Sequence, residues 1–396
     1  MKRNKFIYIL FIFIMLILVN IPFKDIYNFE NGAIVTYDDV KSSNKNNLFG
    51  GFVKTELNRN ELSVGTAKSN DGVLTFKLFG IFPIRKVKVN MLNDEEVYIG
   101  GVPIGLALNA DGAIVVRENK DIEIKDKENT ACKKFKPGDI ITEINDVKIK
   151  SLDDIPKLLN VKDKDVEVKY LRDNKEKKML VRLVKDNDEN KFGIYVKDDI
   201  SGVGTLTFVN KKDLNFGALG HGITDNQGNN IVPISNGKIY NCNVIGINKG
   251  QHNKPGELRC LFVQNKNIKG LIDDNNKFGI YGKLIDTEGL IDKNLTAKIG
   301  GRLGVKTGKA YIVSSVSGIR EEYEIEIIKA SYQKKASDKS LVFRVKDKRL
   351  LNLTGGIVQG MSGSPIIQDG KMIGAVTHVF LSDPTKGFGV YCDWMM

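Results

Sequence analysis

The chain has 396 residues and carries 60 Lys and Arg against 48 Asp and Glu, a formal net charge of +12. Its apolar, charged and aromatic fractions are those of a globular protein with room for two or three domains, which excludes a disordered or fibrous class. Basic residues are spread along the chain with acids between them rather than gathered into a block with interleaved aromatics, so nucleic acid is not an expected partner.

Taken in order, the N-terminus comes first. Lys2, Arg3 and Lys5 precede a wholly apolar run from Phe6 to Val19, extended by Ile21, Pro22 and Phe23. A basic flank before a hydrophobic segment of marginal spanning length reads as a signal or signal-anchor. No A-x-A-like cleavage site follows, and aromatic residues sit at both ends, so residues 1–23 are expected to be an uncleaved transmembrane anchor. The positive-inside bias then places residue 24 onward outside the cytoplasm. From Lys24 to Asn47 the sequence is polar and Asn-rich and reads as a linker or poorly ordered stalk. Strand character returns in Val73–Phe79 and Arg85–Met91, so residues 24–96 are expected to hold a stalk and a small β region.

Residues 97–185 read as one module. Two apolar stretches, Gly105–Leu108 and Gly112–Val116, are followed by Lys136-Pro137-Gly138-Asp139-Ile140-Ile141-Thr142-Glu143-Ile144-Asn145, a turn feeding a strand. Ser151-Leu152-Asp153-Asp154 then has the signature of a helix start running to about Leu159, and strands Asp165–Arg172 and Lys177–Val184 close the unit. This order resembles a PDZ domain of the bacterial protease type. The resemblance implies capture of an extended peptide tail by strand addition, with Ile104, Gly105 and Leu106 in the peptide-binding loop.

Residues 186–396 are glycine-rich with many short β-branched strands, as in an antiparallel barrel or sandwich. Of three histidines, His252 lies in a polar loop and His378 in an apolar strand, Met372 to Phe380, where packing accounts for it. His221 is flanked by Gly220 and Gly222 and is open to approach. Gly360-Met361-Ser362-Gly363-Ser364-Pro365 lies 141 residues further on, counted from His221 to Ser362. Serine needs a base to become a nucleophile near neutral pH, and a glycine-framed turn can aim N–H groups at the charge that develops. The four cysteines have no metal-binding spacing, and with so few histidines neither a metal nor an organic cofactor is expected.

The order His then Ser, with the strands that follow, resembles the chymotrypsin-like clan. That resemblance assigns Ser362 as nucleophile, with the N–H groups of Gly360 and Ser362 as oxyanion hole; Ser364 is the competing nucleophile. The whole chain resembles the SpoIVB-type serine peptidases of stage IV sporulation. The residues that carry this are Phe216–His221, Leu353–Pro365 and Gly374–Phe380. The implied fold is mainly β: a transmembrane anchor, a PDZ domain and a C-terminal chymotrypsin-like double β-barrel peptidase. The implied activity is a membrane-tethered endopeptidase in the space between forespore and mother-cell membranes. It would cleave itself and a regulatory membrane protein of an intramembrane protease complex, leading to late sigma-factor activation. The resemblance also points to Asp347 as the third triad member, 15 residues before Ser362, whereas the chymotrypsin-like pattern leaves Asp273, Asp274 and Asp286 open. A catalytically inactive PDZ adaptor that presents peptides to another protease is the alternative reading.

Overall fold

The computed structural model describes residues 9, 12, 15, 23–29, 31–49, 51–59, 71–91, 95–120, 130–225, 230–264, 266–331, 333 and 335–396. The expected anchor therefore lies almost wholly outside the described residues, among which no helix is long and apolar enough to cross a membrane.

The expected stalk is folded. Strands β1 (Ala33–Val35), β2 (Val53–Arg59), β3 (Asp71–Leu78) and β4 (Phe82–Met91) form a sheet in the order β1-β4-β3-β2. A helix, Tyr37–Lys45, starts on a capping box in which the Thr36 side chain accepts from the Asp39 N–H and the Asp39 carboxylate accepts from the Thr36 N–H. Polar composition misleads here because the few apolar residues, Ile26, Phe29, Ala33, Val35 and Val40, all reach one core with Leu74, Phe76 and Val87.

Next come β5 (Glu96–Ile99) and β6 (Pro103–Glu118), a strand of 16 residues that serves two units. Its distal end pairs with β7 (Ile140–Ile144), which pairs with β8 (Val147–Lys148) and β9 (Asp165–Arg172); β9 pairs with β10 (Lys175–Arg182). The expected helix is present as Asp154–Leu159, its start held by the Asp154 carboxylate accepting from the Lys150 and Ser151 N–H groups. After a short hairpin, β11 (Val184–Asp186) with β12 (Glu189–Lys191), the chain enters β13 (Ile194–Asn210).

β13 runs antiparallel to β6 along nearly its full length, from Ile194 opposite Glu118 to Thr205 opposite Pro103. The PDZ-like unit is thus inserted between two strands of a barrel. That barrel adds β14 (Asn215–Ala218), β15 (Ile234–Asn241), β18 (Ile268–Asn276) and β19 (Gly279–Leu284). The ring closes in the order β13-β6-β15-β18-β19-β14 and back to β13. A hairpin, β16 (Asn243–Asn248) with β17 (Glu257–Leu261), projects from it toward the second barrel.

β20 (Thr296–Ile299) bridges the barrels, antiparallel to β5 and parallel to β25. The second ring contains β21 (Gly308–Ser314), β22 (Glu321–Ala330), β23 (Leu341–Val345), β24 (Pro365–Gln368), β25 (Lys371–Val379) and β26 (Lys386–Tyr391), closed in the order β25-β26-β23-β22-β21-β24. Each barrel has its own core, around Leu106, Phe216 and Ile280 in the first and around Ile312, Phe343 and Tyr391 in the second.

The peptide-loop assignment of Ile104, Gly105 and Leu106 does not survive this topology. All three lie inside the first barrel, paired with β13 on one edge and β15 on the other, and Ile104 and Leu106 are buried. In the PDZ-like unit itself, β6 has β7 on one side and Ile194–Lys197 of β13 on the other. Ile194–Lys197 is therefore the outer strand of that sheet, and a cavity lined by Ile155, Leu159, Phe192, Ile194 and Val196 lies between it and the helix Asp154–Leu159.

Candidate active site

The Gly360–Pro365 turn is built from backbone geometry. The helix Lys348–Thr354 ends on Gly355 in the left-handed region, and the chain then runs through buried Ile357 and Val358 to Gln359, which bridges to Glu257 of the β16–β17 hairpin. Gly360 and Gly363 both have φ of +96°, a conformation that L side chains rarely adopt. At Gly363 space demands glycine as well, since a Cβ there would lie 2.2 Å from the Thr205 carbonyl oxygen.

Thr205, in β13 of the first barrel, ties the two barrels together at this point. Its N–H donates to the Ser362 carbonyl (3.0 Å), its Oγ1 donates to the Gly360 carbonyl (2.6 Å), and its own carbonyl accepts from the Leu219 N–H (3.2 Å). On the other side the Gly363 N–H donates to the Val376 carbonyl (2.7 Å). With the carbonyls drawn back to Thr205, the N–H groups of Gly360 and Ser362 take no backbone acceptor among the described residues, the condition for an oxyanion hole.

The two serines separate cleanly. Ser362 is half-buried, lines the cleft between the barrels and donates from Oγ to the Thr377 carbonyl (2.8 Å). Ser364 is fully buried, and its hydroxyl has no hydrogen-bond partner among the described residues. Only Ser362 is placed to meet a substrate.

His221 follows β14 after a bend at Leu219 and Gly220, with φ of 71° and 72°. Its Nδ1 lies 3.0 Å from the Gly222 carbonyl. A carbonyl only accepts, so that nitrogen carries the proton and Nε2 is left as the basic lone pair. Burial holds the His221 pKa below its ordinary value, opposed by the Gly222 carbonyl and by the Asp338 carboxylate.

His378 stands beside it, ring centroids 5.1 Å apart. Its Nε2 is 3.9 Å from the Asp338 carboxylate, and its pKa is pushed down to about 4 by burial and then by the neighbouring His221, Asp338 working against both. Asp338 is itself held to β25, where the Thr377 hydroxyl donates to its carbonyl (2.7 Å). The sequence reading missed His378 as a site residue because its apolar strand suggested packing; it also missed Asp338 and Thr205. The Thr377-His378 step within Gly374–Phe380 was the available signal.

Asp347 is not brought to His221. It is the N-cap of the helix Lys348–Thr354, where Oδ1 accepts from the Arg349 N–H (2.8 Å) and Oδ2 accepts from the Arg349 guanidinium (2.9 Å) and the Glu324 N–H (3.4 Å). The hydrogen bond from Arg349 holds its carboxyl below the usual range. A cap whose oxygens are committed to its own helix cannot orient an imidazole elsewhere. The carboxylate whose charge reaches both histidines is Asp338.

His221, Ser362, Asp338 and His378 line one cleft of about 1400 Å³, whose walls include Leu106, Ile200, Ile223, Ile245, Leu258 and Phe388. An open trough of that size with apolar walls suits an extended polypeptide.

A family model described as SpoIVB peptidase S55 matches residues 188–396, and a PDZ domain model matches residues 89–183. No curated protein matches the chain. Among solved structures, the PDZ domain of the SdrC-like protein from Listeria monocytogenes is 24% identical, with 22% of this chain and 90% of that chain covered and a TM-score of 0.19. The active form of the Rv3671c protease from M. tuberculosis is 12% identical, with 49% of this chain and 70% of that chain covered and a TM-score of 0.24.

Proposed function

The chain belongs to the SpoIVB peptidase S55 family and is a serine endopeptidase; we propose that it works tethered to a membrane by its N-terminal apolar run, in sporulation, on itself and on a regulatory membrane protein. The observation that carries the catalytic assignment is the Gly360–Gly363 turn, which presents Ser362 at the mouth of a cleft that also holds His221.

In the mechanism we assign, Ser362 Oγ turns about χ1 from the Thr377 carbonyl toward His221, whose Nε2 takes its proton. The oxygen attacks the peptide carbonyl, and the Gly360 and Ser362 N–H groups hold the oxyanion. Asp338 stabilises the imidazolium, which then protonates the leaving amine; water releases the acyl-enzyme by the reverse path. Removing one oxyanion-hole donor from such a site costs on the order of 10²–10³ in rate.

Cleavage of a membrane protein that controls an intramembrane protease rests on the family and on an N-terminus that would hold the cleft near the bilayer. Ser362 and His221 lining one cleft argue against the adaptor reading, which needs neither. The test is fluorophosphonate labelling together with processing in trans. Wild type labels, and Ser362→Ala does not. Wild type also trims an added Ser362→Ala chain. Equal labelling of Ser362→Ala removes the catalytic assignment, and an intact Ser362→Ala chain in the mixture removes self-cleavage.

A further inference from the structure

The β3–β4 turn carries an apolar tip that is left exposed among the described residues. Phe79 is 59% exposed, Ile81 71% and Phe82 62%, and Phe52 at the start of β2 is 59% exposed against them. The Phe79 N–H donates to the Phe52 carbonyl (2.5 Å) and their rings meet edge to face at 5.7 Å, so the tip is ordered. Exposed aromatic side chains grouped at one end of a sheet mark an interaction site rather than scattered surface residues.

The location of the tip decides what covers it. Arg85, three residues beyond Phe82, donates from its guanidinium to the carbonyls of Ile26 (2.6 Å) and Phe29 (2.8 Å) and lies 5.4 Å from the ring centre of Tyr27, itself 66% exposed. The helical segment 23–28 is thereby fixed against β4, the strand that leaves the tip, and in sequence the apolar run with its extension to Phe23 leads directly into that segment. Lys54 lies under the turn, its Cγ 3.7 Å from the position of a Cβ on Gly80, and Lys24 heads the segment. Aromatic side chains with cations behind them suit the headgroup region of an anionic bilayer.

We propose that the Phe79–Phe82 turn, with Phe52 and Tyr27, is a second membrane contact that inserts into the bilayer surface and fixes the protease's orientation upon it. This rests on the reading of residues 1–23 as an anchor. The site is distinct from the catalytic cleft.

The experiment uses the full chain in phosphatidylcholine–phosphatidylglycerol vesicles. An environment-sensitive thiol fluorophore is placed at Ile81→Cys in a Cys260→Ser background, the other three cysteines being buried. A control label sits at Ile319→Cys, on an exposed residue of the second barrel. Shallow nitroxide lipids should quench the label at 81 at least about twofold more than that at 319, with its emission shifted to the blue. Equal quenching at the two positions overturns the proposal, and a lipid-independent blue shift with cross-linking between chains assigns the tip to a second copy instead. Carbonate extraction of the same vesicles reads the anchor separately. A chain retained with 81 unquenched sinks the tip alone, whereas a chain released with 81 quenched sinks the anchor alone.

Discussion

At the scale of single residues, the charge balance around the imidazoles sets the pH behaviour. His221 acts as a base only when neutral, and burial lowers its pKa, so the acid limb of kcat/KM should lie below the ordinary histidine value near 6.5. Asp338 raises the pKa of both histidines. Asp338→Asn should therefore move that limb further to acid while kcat falls, because the imidazolium formed in the transition state loses its counter-charge. An unmoved limb in the pH–rate profile would mean that Asp338 is not the carboxylate of this site. Asp347→Ala should instead lower stability by about 1 kcal/mol through the lost cap, read in urea unfolding, without shifting the limb. Thr205→Val removes the hydroxyl that holds the Gly360 carbonyl and leaves the Thr205 backbone bonds in place. Its expected signature is a fall in kcat with KM little changed, since a misplaced oxyanion donor weakens the transition state alone.

At the scale of elements, legibility followed the range of the interactions. The Asp369-Gly370 pair between β24 and β25 is a turn that local sequence alone marks, and both residues take the left-handed conformation that a two-residue hairpin requires. The helix beginning near Asp154, strand Asp165–Arg172 and the Gly360–Pro365 turn were likewise written in local spacing. β6 was not. It was read as two short pieces because Gly112, at φ 140°, breaks the apolar pattern where the strand passes from barrel to inserted unit. In the barrel its partners are distant in sequence: Gly105 pairs with Val203, 98 residues on, and with Tyr240, 135 residues on. Nothing local encodes those registers, and a strand paired on both edges resembled a free loop. Asp347 came from the family resemblance and not from its spacing, and its place as cap of the helix Lys348–Thr354 keeps its carboxylate with Arg349. The pairing of β13 with β6 makes its own prediction. Over Ile194–Lys197 the alternate amides that donate to β6 should exchange slowly, and uniformly fast exchange there would show that β13 leaves β6.

Across the whole molecule, the N-terminal unit is joined to the peptidase by buried polar contacts. Asp39, 1% exposed, caps its own helix and accepts from the Gly301 N–H (3.1 Å) and the Lys371 ammonium (3.1 Å) of the second barrel, while Leu303 enters the N-terminal core. Next to them Arg302 pairs with Asp393 at 2.8 Å within the peptidase, both nearly fully buried, and the Asp393 carboxylate also takes a hydrogen bond from the Ile34 backbone of the N-terminal unit. Such contacts hold an orientation between units, because each carries a desolvation cost that only the docked geometry repays. Removing one member of a buried pair typically costs about 3–5 kcal/mol. Asp39→Ala should cost less, about 2 kcal/mol, because Lys371 keeps partial access to water and Asp38 stands 3.7 Å from its ammonium as a substitute. The expected result is a lower urea midpoint together with faster proteolytic release of the N-terminal unit. Fluorophosphonate labelling of the folded fraction should be unchanged, since Ser362, His221 and Thr205 are all held by the barrels. An Asp39→Ala chain that unfolds as wild type does would mean that the unit is held by apolar contact alone. Loss of labelling in step with release would mean that the N-terminal unit helps to shape the cleft.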